Sequence, residues 1–90
     1  HIKAKKGLEE ILRKELLALI EPTRSESNCI RYDLYHDHEN KSHFMFYEHW
    51  KNKSDLEQHL QKPYIKSFMD KADELLAEPV TISLWEKVDG

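Results

Sequence analysis

Phe44-Met45-Phe46-Tyr47-Glu48-His49-Trp50 runs through Lys51-Asn52-Lys53 straight into Ser54-Asp55-Leu56-Glu57-Gln58-His59-Leu60. The first seven residues alternate. Phe44, Phe46, Glu48 and Trp50 share one face, and Met45, Tyr47 and His49 the other, with His43 before them, as in a half-buried strand. The next seven change period. Ser54 reads as an N-cap, with Glu57 completing a capping box. A short helix from Asp55 to about Gln61 then places Leu56, His59 and Leu60 on one face. Pro63 suits the first turn of a second helix, where Ile65, Phe68, Met69, Ala72, Leu75 and Leu76 recur at helical spacing until Glu78-Pro79. A carboxylate, an indole, an imidazole and a phenol (Glu48, Trp50, His59, Tyr64) lie on elements that must pack together. This is the best candidate for a pocket in so small a chain.

Working outward, Cys29 to His36 reads as a strand, with Ile30, Tyr32 and Leu34 on one face and Cys29, Arg31, Asp33 and Tyr35 on the other. Asp37 to Ser42 is a connection short enough for a hairpin. Leu8 to Ile20 reads as a helix with an apolar stripe of Leu8, Ile11, Leu12, Leu16, Leu19 and Ile20, and Pro22 biases Glu21 out of the helical region. Thr23 to Asn28 is then a polar loop. Ile2 and Ala4 alternate with His1, Lys3 and Lys5 in a strand broken at Lys6-Gly7. Val80 to Val88 is the last strand, with Val80, Ile82 and Leu84 opposite Thr81, Ser83 and Trp85.

The order is strand, helix, strand, strand, helix pair, strand. It predicts an α+β, ferredoxin-like fold over residues 1–90 as one domain, an antiparallel sheet with helices on one face. The chain opens at His1 without a methionine, inside a strand, so that strand is expected to continue upstream. The face opposite the helices would show Cys29, Tyr35, Met45, Tyr47 and Trp85. That is too apolar for a sheet face left in water, and it predicts a homodimer formed sheet to sheet. A domain of 90 residues also gains from the extra burial.

Composition narrows the function. Net charge is −3 with His neutral, and the two signs are mixed without a basic block, which argues against nucleic acid. No apolar run approaches the length of a membrane span. Cys29 is the single cysteine, which fits a reducing cytoplasm, and it has no identified activating base. With Gly7 and Gly90 the only glycines, there is no phosphate-cradling loop. His36-Asp37-His38-Glu39 superficially resembles a ligand set, but it sits at a turn and no metal-site spacing supports it, so no metal is predicted.

His59 is the residue to weigh first. A histidine between leucines on an inward helix face is by default a hydrogen-bonded core residue. Here the preceding strand offers Glu48 and Trp50 at the same inward parity. An imidazole near a carboxylate titrates near neutral pH and can move a proton. An inward glutamate needs a partner, and His59, Arg24 or another base could supply it. Most of Tyr32, Phe44, Phe46, Trp50, Tyr64 and Phe68 are expected in the core. Around two polar groups, however, such rings also suit a flat aromatic ligand.

These residues resemble the antibiotic biosynthesis monooxygenase family, in particular its quinol monooxygenases. The resemblance rests on Lys6-Gly7, on Thr23-Arg24-Ser25-Glu26 leading to Cys29-Ile30-Arg31-Tyr32-Asp33-Leu34, and on Phe44, Tyr47-Glu48, Trp50, His59 and Pro63-Tyr64-Ile65 in that order and spacing. It implies a dimeric α+β barrel with a pocket between sheet and helices in each subunit. It also implies oxidation of a small aromatic phenol or quinol by O2 without metal, flavin or other cofactor. His59 would transfer the proton, Trp50 would form a wall and Glu48 would orient or balance charge. Tyr32, Phe46, Tyr64, Phe68 and Arg24 join them as expected substrate contacts. Haem-degrading relatives carry a Trp near the position of His59 and a ligating His near that of Met69; this chain has neither. Two other readings stand beside the oxygenase: isomerase-type processing of a small polar, autoinducer-like metabolite, and a non-catalytic dimeric domain that binds an aromatic ligand.

Overall fold

The computed structural model describes residues 1–84 and Val88. At its centre is the hairpin of β2 (Cys29–His36) and β3 (His43–Trp50), whose bounds are those read from the alternation. The strands pair antiparallel, with Tyr32 opposite Glu48 and Leu34 opposite Phe46. The turn is closed by the Asp37 amide donating to the His43 carbonyl at 2.8 Å. The Asp37 carboxylate accepts from the amides of Glu39 (2.8 Å) and Asn40 (3.2 Å), so this acid organises the turn. On the other side of β3 lies β1 (Ile2–Lys3), with Ile2 opposite Phe44, giving the order β1-β3-β2. This is the antiparallel α+β sheet of a ferredoxin-like fold.

One strand departs from simple alternation. The register slips between Cys29 and Arg31, which face Trp50 and His49. The bulge turns Ile30 outward, 60% exposed, instead of onto the buried face with Tyr32.

Behind the sheet lie the helices. Gly7, at φ 86°, turns the chain out of β1, a conformation that suits glycine. In α1 (Glu9–Ala18), Leu12 and Leu16 are fully buried and Leu19 follows them inward, while Ile11 lies outside the stripe, half exposed. The Thr23–Asn28 segment is not loop throughout. Ile20–Arg24 forms a short helix, α2, with Pro22 inside its first turn, where a missing N–H costs nothing. The next correction concerns α3 (Lys53–Leu60). Its cap is Asn52, not Ser54, and the reciprocal acid is Asp55, not Glu57. Asn52 Oδ1 accepts from the Asp55 amide at 3.2 Å, and Asp55 Oδ2 accepts from the Asn52 amide at 3.1 Å. The Asn28 side-chain amide donates to the other Asp55 oxygen at 2.8 Å, holding that acid in the box, and Ser54 donates its hydroxyl to the same Asn52 oxygen. Pro63 opens α4 (Pro63–Leu75) as expected; Ile65, Phe68, Ala72 and Leu75 face inward and Met69 does not. They meet Leu12, Leu16, Ile2 and Phe44 in one core.

The strand expected over Val80–Val88 is not formed over residues 80–84, and Trp85 lies outside the described residues. The chain nevertheless follows the free edge of β1. The Ala77 amide donates to the Lys3 carbonyl (2.8 Å) and the Thr81 amide to the His1 carbonyl (3.1 Å). Between these bonds the pairing shifts register across Pro79, which has no N–H to offer. The other sheet face leaves Tyr35 and Tyr47 about half exposed, beside partly buried Met45. Cys29, expected on that face, stands opposite Trp50 on the helix-facing side, because the bulge shifts its register by one residue.

Asn52→Ala is expected to destabilise the fold by about 1 kcal/mol, read as a lower urea midpoint with unchanged slope. Glu57→Ala should stay within about 0.5 kcal/mol. The reverse ranking would return the cap to Ser54 and Glu57.

Candidate active site

Three of the rings expected around His59 lie against it, those of Trp50, Tyr32 and Tyr64, with Phe46 behind Tyr32. His59 occupies the last turn of α3 and is 2% exposed. The capping box starts that helix close to the end of β3, which brings the imidazole against Trp50 with ring centres 4.6 Å apart. Tyr32 from β2 approaches it edge-on at 5.6 Å and stacks on Phe46 at 4.5 Å. Tyr64, in the first turn of α4, presents its edge at 6.3 Å. Phe68 sits in the core with Ile65 and Leu75 rather than in this ring cluster.

The carboxylate bonded to His59 is one that the alternation did not single out. Nδ1 of His59 lies 2.7 Å from Oε2 of Glu26, within hydrogen-bond distance, and the Tyr64 hydroxyl donates to the same oxygen. Glu26 lies between α2 and β2, its side chain largely buried. Its amide donates to the Thr23 carbonyl and its carbonyl accepts from the Cys29 amide. A polar loop has no periodicity to reveal an inward acid. The available signal was its place in the Thr23-Arg24-Ser25-Glu26 stretch.

Glu48, the expected partner, is instead bonded to Trp50, whose Nε1–H donates to Oε1 at 3.0 Å. Although the residue is exposed as a whole, its carboxylate is drawn in against neighbouring side chains. Lost hydration raises its pKa, outweighing the indole hydrogen bond and the attraction of His59. Two carboxylates therefore flank the imidazole, one bonded and one nearby. Burial also raises the Tyr32 phenol well above its ordinary range. The Tyr64 phenol is pushed up to about 12, first by burial and then by its bond to Glu26. Both phenols are donors at neutral pH. Burial likewise raises the Cys29 thiol, which disfavours the nucleophilic thiolate.

Arg24 is engaged elsewhere. Its Nε–H donates to the Tyr32 carbonyl (3.0 Å) and its Nη2 to Asp33 (3.1 Å), tying α2 to β2. It also borders an open groove of about 520 Å³, with Leu17, Ile20, Leu34 and Phe44 among its walls, that does not reach His59. Among the described residues, no cluster of three or more His, Cys, Asp or Glu is placed to hold a metal ion. No helix among them is long and apolar enough to cross a membrane.

This fold has counterparts. Residues 1–71 match the profile of the antibiotic biosynthesis monooxygenase family, and the chain belongs to that family. It is 40% identical over 78 residues to the uncharacterised protein sll1783 of Synechocystis, covering 82% of this chain and 53% of that protein. The chain thus spans about half the length of that relative. The Mycobacterium tuberculosis protein "Putative monooxygenase Rv0793" is 31% identical over 78 residues, covering 87% of this chain and 76% of its own. Its solved structure superposes with a TM-score of 0.84, covering 98% and 92% of the two chains. Another solved structure, described as an antibiotic biosynthesis monooxygenase, reaches a TM-score of 0.91 at 25% identity over 98% of this chain and 93% of that one.

Because the folded protein binds the Glu48 proton more tightly than the unfolded chain, stability should fall as pH rises from the ordinary carboxylate range through the raised pKa. Glu48→Gln removes that dependence. The variant should melt higher than the parent at pH 7, with the gap narrowing toward pH 4. A gap independent of pH would show that Glu48 is not the group responsible.

Proposed function

We propose that this chain is a monooxygenase that oxidises a neutral hydroxylated aromatic, a quinol or small phenol, with O2, His59 accepting the substrate proton. The observation that carries the reading is the placement of a buried imidazole against the Trp50 ring, with Tyr32, Phe46 and Tyr64 completing an aromatic surround. An aromatic substrate stacked there would meet a base in a water-poor slot. Loss of its hydroxyl proton to His59 leaves an electron-rich anion. The anion passes one electron to O2, and the resulting radical and superoxide combine at a ring carbon. The peroxide then loses water, leaving one oxygen atom in the product. The substrate is the reductant, so the balance calls for no further electron donor.

Charge argues for a neutral substrate over a phosphorylated one. Among the described residues, no Lys or Arg is paired with Glu26, Glu48, His59 or Tyr64, and two carboxylates would repel a phosphate. Isomerase-type processing of a phosphorylated metabolite therefore has less support than oxidation of a quinol.

We also propose that two copies associate through the outer sheet face. Tyr35, Tyr47 and the bulged Ile30 are exposed there, on a domain small enough to need further burial. Sedimentation should give a dimer, and Tyr47→Glu should shift it toward monomer. A concentration-independent monomer for the parent would overturn the association.

Purified protein incubated with a quinol panel under ¹⁸O2 should yield product carrying one labelled atom, and none under nitrogen. His59→Gln, whose side-chain amide can still donate to Glu26, should lower turnover by about 10²-fold or more while keeping the fold. Unchanged turnover in that variant would remove His59 from the chemistry. Ligand-induced stabilisation without product would point to the binding-domain reading.

A further inference from the structure

We infer that Glu26 is the positioning residue for His59: by accepting Nδ1–H it leaves the Nε2 lone pair as the proton acceptor, and its charge steadies the imidazolium formed on proton transfer. This rests on the reading of His59 as the base. The argument starts from valence. A neutral imidazole has one N–H and one lone pair, and whatever bonds one nitrogen decides the role of the other. At 2.7 Å from Nδ1, the largely buried Glu26 carboxylate can only accept, so the proton belongs on Nδ1. The ring cannot exchange roles by turning freely, because Trp50 covers it at 4.6 Å and Tyr32 closes its edge.

Tyr64 makes the arrangement more definite. Its hydroxyl donates to the same Glu26 oxygen, so that oxygen is fixed from α3 and from α4 at once. With its pKa pushed up to about 12, the phenol keeps its own proton and does not draw the one on His59. The other groups facing the imidazole are Tyr32 from β2, a protonated phenol, and Glu48 from β3, held by the Trp50 indole without bonding the ring; Cys29 stands beside Glu26 with a raised thiol pKa. Glu26 is thus the acceptor that selects the tautomer. The proton balance closes within the pair: the substrate O–H bond breaks, an Nε2–H bond forms, and the imidazolium is left beside the Glu26 carboxylate.

The test reads the tautomer first and turnover second, so the two readings can fail separately. ¹⁵N shifts of the His59 ring, recorded on substrate-free protein above the imidazole titration, should show Nδ1–H in the parent. Glu26→Gln should lose that single tautomer and give Nε2–H or a mixture, because the amide can donate as well as accept. With an active quinol, Glu26→Gln should lower kcat with KM little changed, since the imidazolium formed on proton transfer has lost an anionic partner. Glu26→Asp should restore part of both signals. An Nε2–H form in the parent overturns the proposal. So does a tautomer and a kcat that Glu26→Gln leaves unmoved. If Glu26→Gln changes the tautomer but the parent turns over no quinol, Glu26 still positions His59 and the oxygenase reading is the one that fails.

Discussion

A carboxylate inside a small domain is the constraint on which the rest of this structure turns. Leaving the Glu26 carboxylate without hydrogen-bond partners would be costly. The chain answers by bringing two donors to one oxygen, His59 Nδ1 and the Tyr64 hydroxyl. Those donors arrive from α3 and from the first turn of α4, whereas Glu26 belongs to the turn before β2. The polar knot therefore fixes the distance between segments far apart in sequence. Each of the three placements depends on a local device: the Asn52–Asp55 box for α3, Pro63 at the start of α4, and the short helix α2 before Glu26.

The knot also shapes what the surrounding rings can do. Tyr32, Phe46 and Trp50 are core residues by burial or partial burial, and the same rings form an apolar surround for a base. Core and site are one set of atoms here, as a chain of this size has little interior to divide. Thr23 shows how tight the division is: fully buried, its hydroxyl has no hydrogen-bond partner. It lies near enough to Tyr32 and Tyr64 to favour their anions slightly, but burial outweighs this in both phenols. The cluster is closed, and the open groove beside Arg24 lies on a different part of the surface.

The hairpin was legible because alternation over Cys29–His36 and His43–Trp50 is a short-range pattern that burial imposes on every second residue. The inward helix positions Leu12, Leu16, Ile65 and Phe68 were legible for the corresponding reason at period 3.6. What misled the reading were positions where one residue overrides the period. The bulge at Ile30 inverts a side chain, Pro22 starts a helical turn instead of stopping one, and Pro79 interrupts the edge along β1. At the site, His59, Trp50 and Tyr64 were recognisable as chemical groups on converging elements. The alternation leaves the partner of Glu48 open among His59, Arg24 and other bases, because strand parity says which face a residue is on and not which neighbour it meets; in the structure that partner is Trp50, and His59 meets Glu26.

By itself, then, the sequence determined the order of the elements from β1 to α4 apart from α2, the ferredoxin-like α+β class, and the convergence of an imidazole with aromatic rings on the helix-facing side of the sheet. These follow from local periodicity, in which each residue reports its own face. Only the tertiary structure decided that the buried imidazole is held by Glu26, that Tyr64 shares the same oxygen, and that Glu48 turns to the Trp50 indole. Hydrogen bonding is directional and short-ranged, so its partners are chosen by three-dimensional placement, to within a fraction of an ångström, after the apolar pattern has already set the fold.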